Sequence, residues 1–585
     1  MIPFEEYFSF NNIVDFLVKQ RIKISFQAHQ RQYLDKILKL NNKIEHEDLR
    51  FLQSVLPPRK KWSRSATFDK RQKLNTAVEN NTAAIKNSVY KIHRRFVNKE
   101  LQFLETPLWY QNLRKYIFEI RIRTFQEENF RIAEPNIIPK EKEKGSLTMR
   151  PIANFNIDDK LILSLTNKYL TSIFDDLFLD NSTAFRQRIG NRRSPKHHDT
   201  IKEIKDYRLL NIDQPLYVAE CDIKKFFDSV YHSIILQRYR ELKNELYENG
   251  VIINKFAETI FYSYLHCYSF NGEVWIKNND TNYWIRNNKN IESQFGWSDH
   301  LVSKFNRNEI GTEKIGIPQG GPLSGLIANI LMHNVDKRII ALGGANVVYK
   351  RYCDDMIIIH KNAIVCQVLF NAYKQALQEN LLEQHEPIPL PRRYKKVFWA
   401  DGAKSKETYL WRNHPLSNAH PQSRWLSFLG YMINYNGDIK IRKKSFTKQK
   451  DKHHKELQSV ISKLKDVSDL EIFKLRNSIL YSFKCKLFSM AVGKVNLSNY
   501  RNEATKMCWG DGFKLIENNK YLRKQLRELD FSRGEVIGKL NLYLRRRSRS
   551  IQKTEEKNDT TDTKKFTEIG YPHSFYSLLE RKLTI

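Results

Sequence analysis

The distribution of apolar and polar positions is most regular in the middle of the chain. Val347-Val348-Tyr349-Lys350-Arg351-Tyr352 and Met356-Ile357-Ile358-Ile359 are β-branched and aromatic runs flanking Cys353-Asp354-Asp355, which predicts a hairpin with two acids at its tip. Leu216 to Ile223 is a mostly apolar run, read as a buried strand in which Asp222 is costly to bury alone. The following Lys224-Lys225-Phe226-Phe227-Asp228 breaks that strand towards a helix. Between the two acid segments lies Gly316-Ile317-Pro318-Gln319-Gly320-Gly321-Pro322-Leu323-Ser324-Gly325, a loop leading into the apolar Leu326 to Met332. Further on, Leu457, Val460, Ile461, Leu464 and Val467, then Leu470, Phe473, Ile479, Phe483, Leu487 and Met490, trace the stripes of two amphipathic helices. Near the start, Asn12 to Leu17 and Gln32 to Leu40 show helical spacing.

Adjacent carboxylates at a hairpin tip repel unless a cation holds them, and hard divalent cations bind through carboxylate oxygens. With Asp222 ending a neighbouring strand, three carboxylates can hold two metal ions roughly 4 Å apart, an arrangement that serves phosphoryl transfer. One ion would lower the pKa of a primer 3′-hydroxyl; the other would neutralise charge on the α-phosphate and the leaving pyrophosphate. Glu220 shares the face of Asp222 by alternation and lines the cleft without being a ligand. Asp228 reads as the N-cap of the next helix. The loop glycines let backbone approach a ligand, and the helix start behind them favours anionic groups. Of Phe226 and Phe227 only one can face the cleft, and we expect Phe227 there with Phe226 in the core.

In the order acid strand, Pro-Gln-Gly loop, Tyr-x-Asp-Asp hairpin, the chain resembles the reverse transcriptases. The resemblance starts at Ile138-Pro139-Lys140 and Arg150-Pro151-Ile152 and runs through Ser182-Thr183-Ala184-Phe185-Arg186. It ends at Phe428-Leu429-Gly430-Tyr431 and Asn436 to Arg442, and covers roughly half of the chain. It implies an α+β right-hand polymerase of fingers, palm and helical thumb, here with an N-terminal helical extension. By that resemblance Asp222, the backbone of Ile223, Asp354 and Asp355 hold two Mg2+ ions, or Mn2+ in their place. Phe227 would exclude a 2′-hydroxyl, while Gln319, Lys140 and Arg150 would meet the nucleotide. Tyr352, Gly430, Lys474 and Lys484 would contact primer and template. The implied partners are deoxynucleotides, an RNA template or noncoding RNA, and the DNA product. The lysine that the family carries after the hairpin could be Lys404 or Lys406.

Composition suits such partners. Lys+Arg number 99 against 65 Asp+Glu, a formal charge of +34 that draws polyphosphates and makes binding salt-dependent. The six cysteines form no C-x-x-C pair, which argues against a structural zinc site or a disulfide framework and for a reduced, cytoplasmic setting. His197-His198 and His453-His454 read as solvated. No charged leader with an apolar core and no run approaching a membrane span is present, so a soluble protein without membrane contact is expected.

The expected organisation is an N-terminal helical region over 1–100, fingers over 101–213, palm over 214–436, thumb over 437–550, and a linker and tail over 551–585. Two insertions interrupt the palm at about 269–313 and 390–423; we expect the first to be a specialised loop near the template path. By elimination the chain looks most like the bacterial defence-associated and abortive-infection reverse transcriptases, the type 3 defence group among them, which would imply anti-phage function and a partner protein or homo-oligomer. Template-independent or protein-primed DNA synthesis, and a group II intron maturase-like RNA-binding role, are the alternatives.

Overall fold

The computed structural model describes the chain apart from residues 1, 32, 36, 39–46, 60, 64–66, 69–73, 127–128, 143–144, 190–191, 194, 391–395, 400–402, 413–421, 493, 496–501, 504–507, 556–573 and 580–585. It divides into two compact units: Met1–Ile13, Tyr116–Leu429 and Asn434–Gly437 form the first, and Val14–Lys115, Gly430–Ile433 and Asp438–Ile585 the second.

Two sheets of the first unit frame the acids. Strands β1 (Asn136–Glu141) and β2 (Thr148–Asn154) form an antiparallel hairpin that buries alternate residues, so Lys140 and Arg150, paired in register, both stay exposed. The second sheet contains β3 (Tyr217–Asp222), β5 (Val348–Tyr352), β6 (Asp355–His360), β7 (Pro387–Ile388) and β8 (Ser405–Trp411), ordered β7-β8-β3-β6-β5. Its centre, β3 and β6, buries four consecutive residues on each strand, as runs covered on both faces should. Two helices pack behind it, α1 (Ser324–Gly343) and α2 (Ala363–Glu379), the latter started by Asn362, whose side chain accepts from the N–H of Ile364 and Val365.

The segment 269–313 is not a long loop. It holds short helical turns at Phe270–Asn279, helices at Thr281–Arg286 and Asp299–Asn306, and strand β4 (Gln294–Phe295), which extends β2 in parallel. Aromatics explain the order: Trp284 is fully buried against Tyr283 and Phe295, and Phe270, Trp275 and Trp297 form a second cluster. Most of the expansion at 390–423 lies outside the described residues.

The second unit is mainly helical. Strands β9 (Tyr431–Asn434) and β10 (Ile439–Ile441) pair antiparallel and lead into α3 (Lys443–Leu464), α4 (Asp469–Val492) and α5 (Lys520–Glu555). Leu457, Val460, Leu464, Ile479, Phe483 and Leu487 meet Val536, Leu540 and Leu544 in one core, so the two expected stripes are joined by a third, 36-residue helix running past the expected limit at 550. The early segment belongs to this core. Leu34 and Leu38 enter it, Tyr33 Oη donates to Glu456 Oε1 at 2.9 Å, and Lys463 Nζ lies 2.6 Å from Asp35. The described part of Gln32 to Leu40 makes turns instead of a continuous helix; the i,i+4 spacing of Leu34 and Leu38 satisfies a single turn, closed by the Leu38 N–H on the Leu34 carbonyl. A small hairpin, Thr67–Phe68 with Leu74–Asn75, also lies within the first hundred residues, where only helices were expected. Of the C-terminal tail, Phe575 and Tyr576 dock by donating backbone N–H to Asp530, and Phe575 packs on Trp509.

Two histidines depart from the solvated reading. His198 is buried, and His453 is fully buried between Gln449 and Ser532, with burial pushing its pKa down to about 3. Five of the six cysteines are buried, and no disulfide joins them among the described residues. Among the described residues no helix is long and apolar enough to cross a membrane.

Candidate active site

The three acids converge by register. Asp355 of β6 pairs directly with Asp222 of β3 and with Tyr352 of β5, so Cys353 and Asp354 form a two-residue turn beside the end of β3. Cys353 takes the left-handed conformation, φ 61, which such a tight turn demands and a non-glycine residue adopts only under constraint. The constraint comes from Arg351, whose guanidinium is fully buried, grips Asp336 through Nε (2.8 Å) and Nη2 (2.6 Å), and donates from Nη1 to the Cys353 carbonyl at 3.0 Å. Ser182 Oγ also accepts from Arg351 Nη2 at 2.8 Å, and Thr183 N–H donates to the Arg351 carbonyl, which ties the Ser182-Thr183-Ala184-Phe185-Arg186 segment to the hairpin.

Electrostatically the acids are only partly compensated by nearby positive charge. Burial, then the neighbouring Asp222 carboxylate, pushes Asp354 up to about 6. Asp222 Oδ2 accepts from Lys404 Nζ at 2.8 Å, but Asp222 Oδ1 is buried with no hydrogen-bond partner. Lys404 Nζ also lies 3.1 Å from His385 Nε2; an ammonium only donates, so that nitrogen is the acceptor and the imidazole is neutral. Burial and then Lys404 depress His385 to about 4, in agreement. Lys404 therefore sits at the acid, whereas Lys406 is buried in a pair with Glu220, whose other oxygen takes the Tyr409 hydroxyl at 2.7 Å. The alternation that puts Glu220 on the face of Asp222 holds, but its carboxylate is spent on Lys406 and Tyr409.

Among the described residues no three Asp, Glu, His or Cys side chains form a ready-made cation cage. The unpartnered Asp222 oxygen and its repulsion with Asp354 nonetheless fit a hard cation of the Mg2+ kind, which takes one or two carboxylates and completes its octahedron with water and substrate phosphates. Residues 222–224 are anchored by bridges to the segment after α2: His385 N–H donates to the Asp222 carbonyl at 2.9 Å and Lys224 N–H to the Glu383 carbonyl at 2.7 Å, with Ile223 opposite Gln384.

The glycine-rich loop closes behind. Gln319 gives its amide Nε2 to both oxygens of Asp228, at 2.8 and 2.9 Å, and its carbonyl to the Ala153 N–H of β2 at 3.0 Å. Asp228 is thus no N-cap: it lies inside the short helix Phe226–Ser229, burial raises its pKa to about 6, and Trp297 Nε1 donates to its carbonyl at 2.7 Å. Gly321 passes so near Tyr264 that a Cβ would lie 1.9 Å from its hydroxyl. Phe226 is buried and Phe227 half-buried. Tyr352 is half-buried; in the second unit Gly430 has φ +84, Lys474 is exposed and Lys484 half-buried. Sequence reasoning missed Arg351, Asp336 and His385, whose roles come from tertiary pairing and leave no local pattern.

Strand-borne carboxylates face one another here, with a glycine-rich loop and a lysine beside them. Residues 138–386 match the reverse transcriptase (RNA-dependent DNA polymerase) family, so the chain contains a reverse transcriptase domain with the right-hand polymerase fold, and the family indicates an RNA-directed DNA polymerase, a nucleotidyltransferase. Solved structures similar to the chain include telomerase from Candida tropicalis in complex with a fragment of telomeric RNA (14% identity over 98% of this chain and 86% of that one, TM-score 0.32). Telomerase from Candida albicans with such a fragment is 13% identical over 95% and 82%, with a TM-score of 0.30. For apo telomerase from Candida tropicalis truncated from its C-terminal domain the figures are 15%, 53% and 54%, and 0.26, so the chain spans about half the length of that structure. No curated protein matches.

Proposed function

We propose that this chain synthesises DNA from deoxynucleotides on an RNA template by two-metal-ion nucleotidyl transfer. One observation carries the reading: Asp222, Asp354 and Asp355 meet at the ends of paired strands, with an oxygen of Asp222 buried and unpartnered, inside a domain that matches the reverse transcriptases. Asp222, the Ile223 backbone, Asp354 and Asp355 would hold the ions, which when bound supply the charge that activates a 3′-hydroxyl and steadies the leaving pyrophosphate. Lys404 holds an ammonium proton next to Asp222, where it can offset triphosphate charge, with neutral His385 keeping it oriented. Phe227, half-buried beside the buried Phe226, offers its ring to the sugar as a gate against a 2′-hydroxyl. Exposed Lys140 and Arg150 supply positive charge to the triphosphate, and Gln319, braced by Asp228, presents the loop to the nucleotide. Tyr352 and Gly430, with Lys474 and Lys484, serve the primer and template.

The test is incorporation of labelled deoxynucleotides on an annealed RNA template with Mg2+, with and without chelator. Incorporation that persists in excess chelator, or that needs no template, overturns the reading; the second outcome favours untemplated synthesis. The finer assignment to anti-phage defence rests on the sequence resemblance, and phage plating on cells carrying wild type or Asp354→Ala tests it.

A further inference from the structure

The strongest unassigned feature lies in the helical unit, along α5. Its apolar stripe, Leu522, Leu526, Leu529, Val536, Leu540 and Leu544, is fully buried. The face turned outward carries Lys520, Arg523, Lys524, Arg527 and Phe531, at the 3-4 spacing of one helical ridge. All five are exposed, and Phe531 is 78% exposed, an expensive placement for a phenyl ring with no apolar neighbourhood of its own. Among the described residues Arg523, Lys524 and Arg527 have no ion-pair partner. The one acid on the stripe, Glu528, is engaged by Lys450 at 3.3 Å.

This face is built, not merely solvated. Asn519 caps α5 by accepting from the N–H of Tyr521 and Leu522 and donates from Nδ2 to the Ile439 carbonyl at 2.7 Å, while Gln525 bonds both the N–H and the carbonyl of Ile441. These bonds hold the start of α5 along the free edge of β10. Lys440, between Ile439 and Ile441, is therefore turned into a groove of about 530 Å3 together with Lys443, Phe446 and Tyr521. A second groove of about 510 Å3 continues along Arg523, Arg527 and Phe531. The first turns of α3 and α5 contain no acid, so two positive helix ends add to the lysines.

We propose that this double groove is a binding site for unpaired RNA, with phosphates on Lys443, Lys520, Lys524 and Arg527 and bases stacked on Phe531 and Tyr521. Cations alone would suit any polyanion; the exposed ring among them selects an unpaired strand, because bases already stacked in a duplex cannot use it. The choice of RNA over DNA rests on the polymerase reading above.

The test measures binding of a fluorescein-labelled 15-nucleotide RNA of one mixed sequence, the same sequence as single-stranded DNA, and a blunt RNA duplex, to the full chain. Lys524→Gln with Arg527→Gln should weaken single-stranded RNA binding at least tenfold and reduce the slope of log affinity against log salt by about 1.4, at roughly 0.7 per phosphate on a single strand. Phe531→Ala should weaken the single strand by roughly tenfold and leave the duplex unchanged. All three positions are exposed on a helix, and an unchanged thermal transition confirms the fold. Unaltered RNA affinity in both variants, equal loss for the duplex on Phe531→Ala, or tighter binding of the DNA strand than of the RNA would each overturn the proposal. Incorporation by wild type on an annealed template is measured alongside; its failure would overturn the polymerase reading without changing the binding result.

Discussion

Replacing Asp336 with alanine strands a charge directly beneath the hairpin that carries Asp354 and Asp355. Arg351 has no solvent exposure, and Asp336 supplies two of its acceptor contacts, at 2.6 and 2.8 Å, as well as the acceptor for the Tyr349 hydroxyl at 2.6 Å. Removing one partner of a buried pair costs about 3–5 kcal/mol, because the remaining charge stays desolvated. The orphaned Tyr349 hydroxyl adds a further 1–3 kcal/mol, so Asp336→Ala should destabilise the sheet unit by roughly 4 kcal/mol or more. Asp336→Asn keeps the shape and part of the hydrogen bonding and should cost less. Removing both charges, as Arg351→Met with Asp336→Leu, should be milder than the sum of the single changes by at least about 2 kcal/mol, the signature of a coupled pair. Guanidinium unfolding of the four proteins gives the cycle. A cost below about 1 kcal/mol for Asp336→Ala, or strictly additive changes, would show that the pair does not hold the hairpin.

Phe227→Ala should admit ribonucleotides while the protein remains folded, whereas Phe226→Ala should chiefly destabilise it by roughly 3 kcal/mol or more; competition between deoxy- and ribonucleotides, with thermal melts, separates the two. His453 stays neutral when folded, with a pKa near 3 against 6.5 for the ordinary group. Its contribution is therefore intact above pH 6.5 and lost as pH falls towards 3, at up to about 1.4 kcal/mol per unit, so His453→Gln should flatten the acid limb of a stability–pH curve, and an unchanged limb would refute that cause. Replacing Lys474 and Lys484 together with glutamine should lower the salt slope of duplex binding by about two units if both touch phosphates, and an unchanged slope removes them from the interface.

The hairpin, the acid strand and the loop were legible because strand patterns are local and acids in apolar runs stand out; Asp222, Asp354 and Asp355 then meet by simple pairing of β3 and β6. What was not legible depends on distant chain. Lys404 and Lys406 looked equivalent until β8 paired with β3, which sends one to Asp222 and the other to Glu220. Asp228 has the composition of an N-cap, but Gln319, ninety-one residues on, claims its carboxylate. The 269–313 segment lacks long periodic runs because its order comes from tryptophans meeting across short turns. Leu34 and Leu38 carry helical spacing yet serve a turn that fills a core built mostly from residues beyond 450. The third helix of this core, α5, was obscured by its charge, since an apolar stripe threaded through arginines and lysines reads as a solvated surface until its partners are known.

The most direct test of the central claim is single-nucleotide incorporation on an RNA template by wild type, Asp222→Asn and Asp354→Asn, each shown to be folded, across a Mg2+ titration. Wild type should extend the primer only with metal present, and either substitution, by removing a carboxylate charge from the cation site, should lower the rate by at least about a hundredfold, several kcal/mol of transition-state stabilisation. Folded Asp222→Asn or Asp354→Asn proteins that extend the primer at the wild-type rate would contradict it.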